Sequence, residues 1–64
     1  MTTFNEIKNA LLENSIGKVF LDNGIGPVPI RGAIKTLPDG DTWIIPMSGV
    51  NFKLSENAQL TVLP

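Results

Sequence analysis

The first apolar residues of the chain recur at the spacing of a helix. Three of them share one helical face, with polar residues between them: Phe4, Ile7 and Leu11. Thr3 and Glu6 fit a capping box, in which the two side chains satisfy free backbone amides at the start of a helix. We therefore predict a helix over about residues 3–14. We expect it to close one end of a sheet in preference to binding a partner.

Beyond residue 16 the apolar residues recur at every second position, the spacing of strands with one buried face. Five segments are predicted strands, about residues 17–22, 28–36, 42–47, 50–54 and 59–63, of which the third is more continuously apolar. Turn sequences such as Asn23-Gly24 and Pro38–Asp41 separate them. This order predicts a mainly β fold in a single domain over residues 1–64, with an N-terminal helix and a five-stranded, strongly bent antiparallel sheet that forms a small barrel. Because the connections are short, we expect each strand to pair with the next.

The second strand contains the least regular part of the pattern. Simple alternation puts three residues on each face: Val28, Ile30 and Ile34 on one, and Arg31, Ala33 and Lys35 on the other. Pro27 and Pro29 lack the N–H that a ladder bond needs, so we expect the start of this strand at an edge or a bulge. Gly32 has no side chain, and we expect the strand to bend there.

Composition narrows the chemistry of the chain. There is no cysteine and no histidine among its 64 residues, so disulfides, thiol nucleophiles and the commonest general base are absent. The serines fall in predicted turns without an obvious base, and Asp39-Gly40-Asp41 supplies too few ligands for a cation loop of the EF-hand type. Gly24-Ile25-Gly26 does not continue into a phosphate-binding glycine motif. We expect no enzymatic activity, no metal and no cofactor.

Charge and length limit the partners. Five basic and six acidic residues give a net charge of −1, without the basic cluster that phosphate-dominated binding of nucleic acid needs. No apolar run approaches the length of about 20 residues that spans a bilayer, and polar residues interrupt the N-terminus where a signal peptide would be apolar. We expect a cytoplasmic protein that does not contact membranes. A small core with 42% hydrophobic residues favours an oligomer whose subunits bury further surface.

Two aromatic residues are candidates for a contact surface. Phe20 lies between Val19 and Leu21 in the first strand, so we expect it to point away from the core, towards a partner, a neighbouring subunit or a nucleobase. Trp43, the only tryptophan, starts the third strand directly after the acidic turn. It could stack on a base or anchor the core or an interface, and the sequence leaves both interpretations open.

The order of elements and several short motifs resemble the Sm and Sm-like family, and most of all its bacterial Hfq branch. Phe20-Leu21-Asp22-Asn23-Gly24-Ile25 resembles the first strand and turn of Hfq, Y-L-V-N-G-I. Asn9-Ala10-Leu11 is similar to N-A-L in its helix, and Gly32-Ala33-Ile34 is similar to G-Q-I in its second strand. Ala58 with Thr61-Val62-Leu63-Pro64 resembles its A-I-S-T-V-V-P ending. The resemblance covers nearly the whole chain, with longer turns after the first two strands.

The resemblance implies a homo-oligomeric ring of about five to seven subunits, in which the fourth strand of one subunit pairs with the fifth strand of the next. The side chains at that interface would be Val50, Phe52, Leu54, Leu60 and Val62. Such rings bind single-stranded RNA at their faces and pore. The matching positions in this chain are Phe20, Gly24 and Ile25 on one face, and Thr42, Trp43 and Asn57 towards the pore.

Two segments depart from the family pattern. Ser55-Glu56-Asn57 replaces Y-K-H at the pore, and Leu12-Glu13-Asn14 replaces an arginine-rich segment after the helix. A ring that repeats Glu56 around its pore would repel phosphate, so the Phe20 face is the better RNA site. Two functions stay open. One is an Sm-like ring that binds single-stranded RNA in RNA metabolism or post-transcriptional regulation. The other is a small-barrel oligomer, Sm-like or SH3-like, that acts as a protein-interaction or structural module.

Overall fold

A computed structural model describes residues 1–64. One helix precedes five strands: α1 Phe4–Glu13, β1 Val19–Asp22, β2 Pro27–Lys35, β3 Thr42–Pro46, β4 Phe52–Lys53 and β5 Gln59–Val62. The predicted N-terminal helix and five-stranded antiparallel sheet are confirmed. β4 differs most from its predicted length. It is shorter than the predicted 50–54, since Val50 and Asn51 lie in the connection from β3.

A side-chain cap begins α1. Thr3 Oγ1 accepts a hydrogen bond from the Glu6 amide and donates one to the Glu6 carboxylate, each at 3.2 Å. The first bond satisfies an N–H that has no partner inside the helix. Ile7 and Ala10 lie three residues apart on the buried face of the helix. The helix is ten residues long, and the structure contains no helix that could cross a membrane.

The strands lie in the order β4-β3-β2-β1-β5, and every neighbouring pair is antiparallel. The predicted pairing of each strand with the next is therefore confirmed for β1 to β4. It is wrong for β5, which pairs with β1. The cause lies in the connection before β5, where the Ala58 amide donates to Ser55 O at 3.2 Å and turns the chain away from β4. Ala58 is buried, and the strand that follows it covers the free side of β1.

A β-bulge divides β2 into two parts. The register with β3 shifts between Ile30 and Gly32, so the chain holds one extra residue, Arg31, at that point. After the bulge Ala33 packs against the core, and Ile34 is 50% exposed. The faces predicted for Ala33 and Ile34 by simple alternation are wrong, because an extra residue reverses the alternation of every position that follows it.

The two prolines of β2 precede this bulge. Pro27 and Pro29 lie opposite Asp22 and Phe20 of β1, whereas the registered pairs with β3 begin at Ile30. Although β2 is a central strand of the sheet, its first residues have registered partners only in β1, and on the β3 side Pro29 O accepts one hydrogen bond, from the Met47 amide at 3.0 Å. That position is consistent with the missing N–H groups of proline.

Seven side chains form the core: Ile7, Ala10, Val19, Leu21, Ile30, Ile44 and Ala58. They come from the helix, the first three strands and the connection before β5. Burial of each large apolar side chain contributes about 1.5–3 kcal/mol relative to leaving it exposed. Thr2 is buried beside them, and its hydroxyl donates to Ala58 O at 2.8 Å. This bond joins the residue before the Thr3 cap of α1 to Ala58, the last residue before β5.

Candidate functional site

The turn between β1 and β2 is built around one carboxylate. Asp22 Oδ1 accepts hydrogen bonds from the amides of Gly24 at 2.9 Å and Gly26 at 3.1 Å. Both glycines have positive φ, +112° and +108°, and a Cβ at either one would meet no atom within 4 Å. The backbone conformation, and not a close approach, therefore requires glycine at these positions. Ile25 stands between them with 94% of its surface exposed.

Asn23, in the same turn, is bonded to a distant part of the chain. Its Nδ2 donates to Lys53 O at 3.2 Å, and its Oδ1 accepts from the Ser55 amide at 2.8 Å. These bonds join the β1–β2 turn to the end of β4, some 30 residues further along the chain. The sequence predicts Asn23 only as a turn residue. The residues around Asn23 do not indicate which groups its side chain bonds to.

An apolar groove opens beside this turn, and we call it the turn groove. Its volume is about 410 Å³, and its lining residues are Asn23, Ile25, Val28, Pro46, Ser48, Val50 and Phe52. No charged side chain is among them. Ile25 and Val50, which is 86% exposed, come from two different turns. Exposed apolar residues gathered at one groove are typical of a binding surface.

Phe20 does not line the turn groove. It lies in β1 opposite Pro29 on one side and Thr61 on the other, and it is half-buried. Its neighbours Val19 and Leu21 are both in the core, so Phe20 is on the outer face of the sheet. Phe20, Gly24 and Ile25 were predicted to form one RNA-binding face. Gly24 and Ile25 lie together in the β1–β2 turn, whereas Phe20 lies apart from the turn groove.

The residues proposed for the pore side are also separate from the turn groove. Trp43 lies opposite Ile34 and Lys53, is 38% exposed and is outside the core. Thr42 lines a shallow depression of about 190 Å³ together with Ser55 and Glu56. Asn57 is exposed in the connection between β4 and β5. Glu56 thus places a carboxylate in the depression that Thr42 lines, where a phosphate would be repelled.

Lys53, the cation opposite Trp43, is already paired. Its Nζ lies 3.3 Å from Asp41 Oδ2, and the Lys53 side chain is 59% exposed and that of Asp41 37%. A surface pair of this kind contributes about 0–1 kcal/mol to stability. It also partly neutralises the charge that Lys53 would otherwise offer to a phosphate.

The residues proposed for a subunit interface fall into two groups. Phe52, Leu54 and Leu60 pack against the core from its border. Val50 and Val62 are exposed. β4 and β5 are the two outermost strands of the sheet, and each pairs on one side only. The chain therefore presents two free strand edges with exposed valines at or near them.

A second groove, which the sequence pattern did not indicate, lies between α1 and β2. Its volume is about 360 Å³, and it is lined by Phe4, Lys8, Leu11, Leu12, Arg31, Gly32 and Ala33. Lys8 and Arg31 are not in an ion pair, since the only salt bridge is that of Lys53 with Asp41. Arg31 is the extra residue of the β2 bulge, so its place in this groove could not be read from strand alternation.

Comparisons of the chain with protein-family models, with curated proteins and with solved structures find no match.

Proposed function

We propose that this chain is an Sm-like protein that assembles into a ring and binds single-stranded RNA through the face that presents Ile25. One observation carries the proposal: hydrogen bonds of Asp22 and Asn23 order the β1–β2 turn, yet the turn presents Ile25 with 94% of its surface exposed. A structure that orders a turn by hydrogen bonds and leaves its apolar side chain in solvent is suited to contact with a ligand.

The strand order supports assembly. β4 and β5 are the two ends of the sheet order and do not pair with each other, so each can pair with the other strand of a neighbouring subunit. Such a contact is heterologous and closes into a ring when the rotation between subunits allows it. It would also remove two free edges that otherwise favour aggregation. Val62 on β5, which is exposed in the single chain, would be covered.

The composition of the turn groove limits how RNA would bind. Because no charged residue lines the groove, affinity would come from bases packing on Ile25, Val50 and the neighbouring apolar surface more than from phosphate contacts. The release of counterions would be small, so the affinity should depend weakly on salt compared with that of a basic RNA-binding protein.

Fluorescence anisotropy with short oligo-A and oligo-U RNAs, over a series of salt concentrations, tests RNA binding. Ile25→Ala should weaken binding by about tenfold, the loss expected for about 1.4 kcal/mol of contact. Ile16→Ala is a matched control, because Ile16 is 81% exposed and does not line the turn groove; this variant should bind as the wild type does. No binding of either RNA at low salt would overturn the RNA proposal.

A second function is favoured by the same lack of charge. The uncharged turn groove and the carboxylate of Glu56 fit a small-barrel oligomer that binds protein or has a structural role without RNA. If the chain forms an oligomer by light scattering at micromolar concentration but binds neither RNA, this second function is the correct one. A monomer mass under those conditions would overturn the ring in either case.

A further inference from the structure

The backbone of β4 shows which of its groups face the free edge of the sheet. The Leu54 amide donates to Thr42 O at 2.8 Å, and Trp43 lies opposite Lys53. In an antiparallel pair, residues that bond to the neighbouring strand alternate with residues whose N–H and C=O point away from it. The C=O of Lys53 therefore points away from β3, and so does the Ser55 N–H that follows in the same alternation.

The Asn23 side chain occupies these two outward groups. Its carboxamide donates to Lys53 O at 3.2 Å and accepts from the Ser55 amide at 2.8 Å. A carboxamide carries the same donor and acceptor as a peptide group, so Asn23 bonds to the edge of β4 as one residue of a neighbouring strand would.

The edge of β5 carries no such cap. The Leu63 amide donates to Lys18 O at 2.8 Å, so by the same alternation the backbone groups of Leu60 and Val62 point outwards. No side chain of the protein bonds to these groups, whereas the next outward carbonyl, Pro64 O, accepts a hydrogen bond from Lys18 Nζ at 3.0 Å. The edge of β5 is thus open over Leu60 and Val62, whereas both outward groups at the C-terminal end of β4 are occupied by one side chain.

We propose that Asn23 is an edge cap that confines strand pairing by a second copy of the chain to the part of β4 before the cap. The groups left open there are the N–H of Lys53 and the backbone groups of Asn51, which lies beside the exposed Val50. The inference deepens the proposed assembly and rests on it for the identity of the partner. An incoming strand and the Asn23 side chain compete for the same two backbone groups, so only one of them can hold the end of β4.

The cap also connects the edge to the turn groove. Asn23 is both a lining residue of the groove and the residue directly before Gly24 and Ile25. Pairing of a strand over Lys53 and Ser55 would displace the Asn23 side chain and release the turn from β4. Asn23 therefore acts as a positioning residue for Ile25, and it keeps the assembly contact from disturbing the site.

Hydrogen exchange of the Ser55 amide, together with mass by analytical ultracentrifugation over a range of protein concentrations, tests the cap. In the wild type the Ser55 amide should be protected. In Asn23→Ala it should exchange at least tenfold faster, and the mass distribution should shift to larger or more concentration-dependent species. Asn9→Ala is the control, because Asn9 is exposed on α1 and lies outside the edge and the groove; it should change neither readout.

Asn23→Asp separates the two bonds and provides a second variant if Asn23→Ala does not fold. A carboxylate still accepts from the Ser55 amide but cannot donate to Lys53 O, so Ser55 should stay protected while the mass shifts less than in Asn23→Ala. A mass distribution equal to that of the wild type in every variant that folds overturns the cap. A monomeric wild type with an associating Asn23→Ala variant would instead uphold the cap and overturn the proposed native ring.

Discussion

At one end of the sheet, the helix end, α1 buries Ile7 and Ala10, and Thr2, which lines a depression with Asp41 of the β2–β3 connection, bonds to buried Ala58. At the other end, the turn end, the β1–β2 turn and the β3–β4 connection leave Ile25 and Val50 almost fully exposed. Both ends are well ordered by hydrogen bonds. They differ in whether apolar side chains are turned inwards or outwards.

This difference shows how a short chain can build both a core and an exposed apolar surface. The helix end is held by burial of apolar side chains, which is the main favourable term in folding. The turn end is held by Asp22 and Asn23, whose side chains bond to backbone groups. Because hydrogen bonds fix the backbone there, the apolar side chains of that end are free to contact a partner.

Removal of a core side chain at the helix end should have the largest effect. Ile7 is fully buried, and Ile7→Ala should lower the free energy of unfolding by about 2–5 kcal/mol, because contacts are lost and a cavity is left. Urea denaturation followed by circular dichroism measures the loss. Leu12→Ala on the same helix is the control, since Leu12 is 75% exposed; a loss as large in that variant would contradict the proposed orientation of α1.

The polar contact at the helix end should have the next largest effect. Thr2→Val keeps the shape of the side chain but leaves Ala58 O without the hydroxyl that donates to it at 2.8 Å. An unpaired buried group costs about 1–3 kcal/mol, and the urea midpoint should fall accordingly. Thr61→Val, in an exposed position of β5, should change the midpoint little. Equal midpoints for the two variants would show that the bond does not hold the helix end closed.

A backbone substitution tests the turn end without removing an apolar contact. Gly24 has φ +112°, so Gly24→Ala should cost about 1–3 kcal/mol of strain, even though a Cβ would meet no atom. Gly32→Ala is the contrast, because Gly32 has no positive φ and its Cβ would lie 3.5 Å from Ile45 Cδ1, an ordinary contact. Gly32→Ala should change stability little. The midpoints of thermal unfolding of the two variants measure the difference. A stable Gly24→Ala variant would contradict the rigid turn.

The sequence was sufficient to predict the helix and insufficient to predict the irregularities of the sheet. The apolar period and the cap at Thr3 predict α1, because they act between residues a few positions apart. The bulge at Arg31 adjoins Gly32, where a bend is predicted, but the pattern does not show that one extra residue reverses the predicted faces of Ala33 and Ile34. The partner of β5 depends on which edge the last connection reaches, and the spacing of the strands does not contain that information.

The candidate site was predictable to a similar extent. Gly24 and Ile25 were singled out by the resemblance, and Asn-Gly marked a turn. The roles of Asp22 and Asn23 were missed for different reasons. Asp22 bonds within its own turn, so an Asx pattern could have indicated it. The Asn23 bonds join residues about 30 positions apart, and no local pattern reports them.

The smallest effect on stability should come from the residue most exposed at the turn end. Ile25→Ala removes the same carbon atoms as Ile7→Ala, yet it should change the free energy of unfolding by less than about 0.5 kcal/mol, because Ile25 makes little contact in the folded chain. Urea denaturation at two protein concentrations measures it, and the concentration dependence reports whether assembly buries the residue. A loss of several kcal/mol at both concentrations would mean that Ile25 is packed within the chain. Then the two ends of the sheet would not differ, and the turn groove would not be an open surface.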